Sequence, residues 1–231
     1  MFNGHSVPIF ISPDSQLKYL KPRLANAEPE LLRLCTSYVK EGSCVWDVGA
    51  NVGFLTFVAA RLSKNGFVLA IEPDSFLVSI LEKTALLPQY TKTEIKVLPA
   101  AVSSGYSIAE FVVAKRGRAN NALVTAGGRS EMGGIRETKN TVTVSLDSLL
   151  SHYPAPDLVK IDIEGAEYDA LLGATQLLAN IRPLMYIEVG LSDFKSIMEI
   201  MKLANYEACD VDGNALNGEY RFNILFVPTE K

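Results

Sequence analysis

Trp46-Asp47-Val48-Gly49-Ala50-Asn51-Val52-Gly53 is the stretch that decides the fold. With Cys44 and Val45 before it, the segment reads as a short buried strand ended by glycine. Residues 53–62 then read as a helix that stops at Asn65-Gly66. An acidic residue, Asp47, closes the strand. Gly49 and Gly53 allow a tight turn and a close approach of backbone to ligand. Asn tolerates the left-handed region, so Asn51 can stand where glycine is usual. A dinucleotide-binding turn needs glycines at 49, 51 and 54. This chain has Gly49, Asn51 and Phe54, so a phosphate cradle is poorly matched. The spacing Gly49-x-Asn51-x-Gly53 instead fits a loop that wraps an amino-acid moiety. No P-loop sequence occurs.

Outward from the turn the pattern repeats. Residues 67–72 read as a strand, 74–87 as a helix and 94–102 as a third strand. That alternation predicts a parallel sheet with right-handed crossovers. Glu72 ends the second strand about 20 residues after the glycine turn, where a carboxylate can accept both hydroxyls of a ribose. The alternation resumes with a strand at 157–162, a helix at 165–178, a strand at 184–189 and a helix at 192–204. Residues 206–211 and 221–227 read as two closing strands. The nine residues between them are too few for a crossover helix, so that pair is expected to be antiparallel.

Two segments fall outside the alternation. Residues 1–43 form a lead-in, irregular at first. Its helix is opened by Pro29, with Leu31, Leu32, Cys35 and Val39 on one face, and ends at Glu41-Gly42. Residues 103–146 form an insertion. Within it, 108–114 and 140–146 alternate like strands, and 115–139 reads as a mobile loop. The insertion is either a plain surface addition or a substrate-facing lid. Arg116, Arg118, Asn120, Asn121 and Arg129 would meet a polar or anionic acceptor in the second case and solvent in the first.

The chain has 231 residues, of which 48% are hydrophobic and 21% charged, with a net charge of −4. At roughly 150 residues per domain this suggests about one and a half domains. One full core with surplus chain in the lead-in and insertion accounts for it, with no second fold: residues 44–231 form the domain. The mild acidic excess argues against nucleic acid as the main partner. Cys35, Cys44 and Cys209 are odd in number and fit no zinc or redox spacing, so reduced thiols and a cytoplasmic setting are expected. No apolar run is long enough to span a membrane. Neither a signal peptide nor a histidine-rich metal site is expected.

In sequence order, WDVGANVGFLTF, AIEPD, PAAVSS, DLVKIDIEGAEYDALLGA and RPLMYIEVG resemble the blocks of the FkbM-type class I S-adenosylmethionine-dependent methyltransferases, over roughly residues 44–227. The resemblance implies an α/β, Rossmann-like sheet of seven strands, mostly parallel with an antiparallel last strand and helices on both faces. It implies S-adenosylmethionine as cofactor, S-adenosylhomocysteine as product, and a small-molecule or glycan acceptor methylated on a hydroxyl. Asp47, Gly49, Ala50, Asn51 and Gly53 resemble the methionine-binding loop. Thr56 is placed to help hold the carboxylate near a helix N-terminus. Glu72 resembles the ribose acceptor with Pro73 beside the adenosine, and Ala101 and Val102 resemble the adenine wall or are ordinary strand-end packing.

Acceptor chemistry is expected at the carboxyl ends of the later strands. Asp162 and Glu188 end adjacent strands there, and Glu164 and Glu167 follow Asp162. Crowded carboxylates make a general base plausible, so Asp162, Glu164 and Glu188 are the catalytic candidates. Glu167 and Glu164 are also placed to stabilise a helix start, and Asp162 to pair with the cofactor's amine. Asp162, Glu164 and Glu188 offer oxygen ligands to a hard cation, but no dedicated loop accompanies them and no metal is expected. Trp46 reads as core. His152 would enter its strand from the wrong edge, and His5 lies in the lead-in. A nicotinamide-dependent oxidoreductase on a similar sheet and a non-catalytic cofactor-binding module remain the alternative readings.

Overall fold

In the central strands, successive residues serve opposite faces of one sheet. In a computed structural model describing residues 7–14, 28–115, 121–124 and 134–229, Cys44–Val48 (β1), Phe67–Ile71 (β2) and Leu158–Ile161 (β8) are buried along their whole length. Cys44, Trp46, Val48, Val159 and Ile161 pack in one core with Leu146, Ala170, Ile197 and Met201. Val45, Val68, Ala70 and Leu158 pack in the other with Leu34, Phe57 and Leu81. Strands apolar on both faces are what a parallel sheet covered by helices demands. The exceptions are Asp47 and Lys160, two buried charges side by side in register.

The remaining elements are α1 (Pro29–Tyr38), α2 (Phe54–Leu62), α3 (Ser75–Ala85), β3 (Glu94–Leu98), β4 (Ala101–Val102), β5 (Ser107–Ala114), β6 (Ala122–Leu123), β7 (Ile135–Val144), α4 (Leu146–Leu149), α5 (Glu167–Leu172), β9 (Leu184–Glu188), α6 (Phe194–Leu203), β10 (Tyr206–Cys209) and β11 (Asn223–Pro228). The main sheet has seven strands in the order β10-β11-β9-β8-β1-β2-β3. From β9 to β3 every pairing is parallel, and β11 runs antiparallel to both neighbours. The last strand is therefore the reversed one, as its short link to β10 predicts.

Three expectations change. The strand expected at 94–102 is two strands in different sheets, because the chain turns away after Leu98 at Pro99-Ala100. Proline removes an amide donor from the ladder, which favours a break there. The insertion pairs with β4 in a second sheet, β4-β7-β5-β6. β7 begins at Ile135, so residues 135–139, read as loop, pair with β5 across Val112↔Thr138 and Phe111↔Lys139. The helix expected at 165–178 ends at Leu172, and a π-helical turn at Leu177–Ile181 follows. Gly173 sits between the two, where a Cβ would stand 2.7 Å from the Ser103 carbonyl oxygen. Close packing on the insertion thus requires the helix breaker at that position.

A small third core joins the insertion to the main domain: Ala101, Phe111, Val113 and Leu123 pack with Ala166 at the start of α5. The lead-in packs beside α3. Tyr90 donates from its hydroxyl to the Pro8 carbonyl at 2.7 Å, and the Phe10 amide donates to Thr84 Oγ1 at 3.1 Å. The Arg136 guanidinium on β7 bonds both carboxylate oxygens of Asp14. Lead-in and insertion therefore meet. Among the described residues no helix is long and apolar enough to cross a membrane. Cys35, Cys44 and Cys209 are free and buried. His5, Arg116, Arg118, Asn120 and Arg129 lie outside the described residues.

Candidate active site

The carboxyl ends of β1, β2, β8 and β9 share one edge of the main sheet, and the chemistry-bearing residues gather there. At β1 the chain turns with Gly49 at φ +75°, Asn51 at +53° and Gly53 at +86°. All three lie in the left-handed region, which explains the glycines and the tolerated Asn. A Cβ on Gly49 would stand 1.9 Å from the Asp162 carbonyl oxygen, and one on Gly53 would stand 2.5 Å from the Phe57 ring. The glycines are thus demanded first by the protein's own packing. Gly49 lets the turn of β1 lie directly against the end of β8. The Gly49 and Ala50 amides donate to the Ile71 carbonyl at 3.0 and 3.1 Å, tying the turn to β2.

Asp47 is almost wholly buried. Its Oδ2 accepts from the Thr56 amide at 3.0 Å and the Thr56 hydroxyl at 2.6 Å. Thr56 was expected to face a ligand carboxylate. The structure instead commits its hydroxyl to Asp47, so it fixes the acid that stands beneath the turn. Trp46 is core, with its indole N–H donating to the Pro154 carbonyl at 3.2 Å.

Glu72 follows β2 and is 5% exposed. One carboxylate oxygen accepts from the Asn51 amide at 2.9 Å and the other from the Asp74 amide at 2.9 Å. Burial pushes its pKa up to about 7, against the two amide bonds and Lys160, which pull it down. Next to it, Asp74 caps α3 by accepting from the Phe76 amide, and its other oxygen accepts from the Asn121 side chain at 2.8 Å. Asn121 also accepts from the Ala114 amide at 2.8 Å. Both ends of Asn121 are engaged. Its structural place is a clasp between the insertion and the cap of α3, in place of the acceptor contact or solvated position expected from the sequence.

Asp162 follows β8, Glu164 stands in the next turn at φ +55°, and Glu188 ends β9. One carboxylate oxygen from each lies within 4.8 Å of the other two. Glu167 is fully buried and serves the turn itself: its carboxylate accepts from the Ile163 amide at 3.0 Å and the Gly165 amide at 3.0 and 3.2 Å. These bonds tie down the turn that leads into α5. Ala101 and Val102 are buried in different cores, and Pro73 is partly exposed beside Glu72. His152 is exposed at the opposite end of β8 from Asp162.

Sequence reasoning assigned no role to Lys160. Its Nζ lies 2.8 Å from the Gly49 carbonyl, 3.4 Å from Val48 O, 3.4 Å from Asp47 Oδ1 and 3.5 Å from Asp162 Oδ2. Burial works against its charge, but Asp162, Asp47 and Glu188 outweigh burial and raise its pKa above the ordinary lysine value. The available signal was a lysine inside a strand buried on both faces, a position that requires ionic partners.

Two observations fit a nucleoside that carries an amino acid. Asn51 Oδ1 in the turn is buried without a hydrogen-bond partner. Glu72, buried at the neighbouring strand tip, is a carboxylate able to take hydroxyl donors.

Comparison with known proteins agrees with this architecture. The profile of the methyltransferase FkbM domain matches residues 47–208, well over half the chain. The chain is 26% identical over 188 residues to the hexuronic acid methyltransferase AglP of Haloferax volcanii, covering 76% of this chain and 72% of that protein. The crystal structure of a methyltransferase FkbM from Methylobacillus flagellatus superposes with a TM-score of 0.53 at 18% identity, over 80% of this chain. This chain spans 43% of the length of that one. An S-adenosylmethionine-dependent O-methyltransferase of Thermotoga maritima superposes with a TM-score of 0.50 at 10% identity, over 88% of this chain and 66% of that one. At such identities the structural likeness shows the fold alone.

Proposed function

Because the chain belongs to the FkbM methyltransferase family, we propose that it transfers the methyl group of S-adenosylmethionine to a hydroxyl oxygen of a glycan or small molecule. When bound, the cofactor supplies a methyl group on a positively charged sulfur, an electrophile that needs no metal to activate it. The protein's share is alignment and proton removal. The observation that carries the reading is the contact between the glycine turn and the end of β8. It sets the turn of Gly49, Ala50, Asn51 and Gly53 beside the Asp162, Glu164 and Glu188 group.

In this reading the turn between β1 and α2 holds the methionine portion, with Asp47 and Thr56 keeping its base rigid. Glu72 accepts the ribose hydroxyls and Pro73 flanks the adenosine. Ala101 and Val102 close the adenine side. Asp162 or Glu188 would take the proton of the attacking hydroxyl as the methyl carbon exchanges its bond to sulfur for one to oxygen, leaving S-adenosylhomocysteine, and Glu164 would help to grip the acceptor. Carboxylates accept hydroxyl protons and hydrogen bonds. The likeness to AglP supports a sugar acceptor.

Calorimetric titration with S-adenosylhomocysteine tests the cofactor half. Binding is expected, and no heat at millimolar ligand would sink it. A mass-shift screen over neutral sugars, uronic acids and hydroxylated metabolites tests the acceptor half. A gain of one methyl on oxygen is expected, and methylation confined to nitrogen or carbon would overturn it.

A further inference from the structure

The buried ammonium of Lys160 has a place in the site that no role described so far uses. It stands in the centre of the sheet, in register with Asp47 on one side and Tyr186 on the other. Its partners belong to two different pieces of machinery. Gly49 O and Val48 O are backbone of the cofactor turn. Asp162 Oδ2 belongs to the carboxylate group on the acceptor side. Asp47, its third kind of partner, anchors the start of α2 through Thr56. One cation therefore spans both halves of the transfer reaction.

Such a group is an expensive way to fill a core. A charge taken out of water must be repaid by well-placed partners, and an apolar residue of similar size is often as stabilising. What the ion adds over an apolar side chain is fixed geometry between the groups it joins. In-line displacement is sensitive to that geometry, since a displacement of about 1 Å can cost about 10²-fold in rate.

We propose that Lys160 is the positioning residue of the transfer, a buried cation that locks the cofactor turn to the Asp162 carboxylate and so sets the separation of methyl donor and acceptor. The proposal rests on the functional reading above. It adds a residue that touches neither ligand and acts through the two groups that do.

The test uses the full chain. Lys160→Met removes the charge and keeps the length, but it leaves Asp47 buried beside an apolar side chain. The double variant Lys160→Met with Asp47→Asn removes that unbalanced acid as well, and Lys160→Arg keeps the charge on a wider head. Each is compared with the unchanged protein by circular dichroism, by titration with S-adenosylhomocysteine and by methyl-transfer kinetics. Asp47→Asn alone serves as the reference for the double variant, because Asp47 also anchors Thr56. Relative to it, a folded double variant is expected to lose less than tenfold in S-adenosylhomocysteine affinity and about 10²-fold in kcat, with little change in acceptor KM, and Lys160→Arg is expected to fall below the unchanged protein in kcat. A folded double variant whose kcat stays within about threefold of Asp47→Asn alone overturns the proposal. So does a loss wholly in acceptor KM.

If none of the variants folds, the unchanged protein still decides. Nitrogen-15 lysine labelling should reveal one slowly exchanging ammonium resonance that shifts when S-adenosylhomocysteine binds. A resonance that does not move overturns the link to the turn. Failure of the underlying functional reading looks different, because then the unchanged protein itself neither binds S-adenosylhomocysteine nor transfers a methyl group.

Discussion

Burial and hydrogen bonding pull on Glu72 in opposite directions, and burial prevails. Its pKa stands near 7 in the folded protein against an ordinary value of 4.5. Between those values the native state holds more protons than the unfolded one, so this residue's contribution to stability falls as pH rises through that window. Ribose hydroxyls donate to a carboxylate, so cofactor binding favours the charged form. S-adenosylhomocysteine affinity is therefore expected to weaken as pH falls below 7, by up to roughly tenfold per unit, with proton release on binding near neutrality. Glu72→Gln should bind weakly at all pH values and lose this dependence. Calorimetry in buffers of different ionisation enthalpy measures both effects, and equal proton release in the variant and the unchanged protein would remove Glu72 from the site. At this scale the backbone setting of Asp47, Gly49, Asn51, Gly53 and Glu72 was legible, because strand ends and positive-φ turns restrict residue choice. It could not mark what Thr56 bonds, since a hydroxyl's partner is set by what folding brings near.

The turn from β8 to α5 carries two of the three grouped carboxylates, and Glu167 organises it. Replacing Glu167 with Ala strands the amides of Ile163 and Gly165 and should cost about 2 kcal/mol of stability. Transfer rate is expected to fall more than S-adenosylhomocysteine affinity, since the cofactor turn belongs to β1. Urea unfolding and single-turnover rates measure the pair, and a variant as stable as the parent would show that the turn is held by packing alone. Elements apolar on both faces, such as β1 and β2, were legible because the parallel sheet forces that composition. The insertion was not. β7 is mostly exposed at its start, so little hydrophobic pattern betrays residues 135–139 as strand, and only their partner β5 makes them one. The break of α5 at Leu172 likewise follows from Gly173 lying against the insertion, which no local pattern records.

Across the whole molecule, the lead-in meets the insertion, and the insertion meets the sheet edge beside Glu72. Asp14 meets Arg136, and Asn121 meets Asp74 beside Glu72. The candidate cofactor residues lie on β1, α2 and β4 and in the turns that follow β1 and β2, so a bound ligand joins several elements of the sheet edge. S-adenosylhomocysteine at 100 times its dissociation constant should stabilise the native state by about 2.7 kcal/mol. That corresponds to a rise of about 5–10 °C in melting temperature for a chain of this size. A thermal melt reads it directly, and an unchanged midpoint would contradict binding to the native fold. Sequence by itself determined the strand–helix alternation, the reversed last strand, the glycine turn and the carboxylate tips. Local periodicity, turn chemistry and link length are all properties of neighbours along the chain. Only the tertiary structure decided that the insertion is a second sheet, that Asn121 clasps Asp74, and that Lys160 joins β1 to Asp162. The pairings of Asn121 with Asp74 and of Lys160 with Asp47 link residues far apart in the chain, and their energies exist only once the separate strands lie side by side.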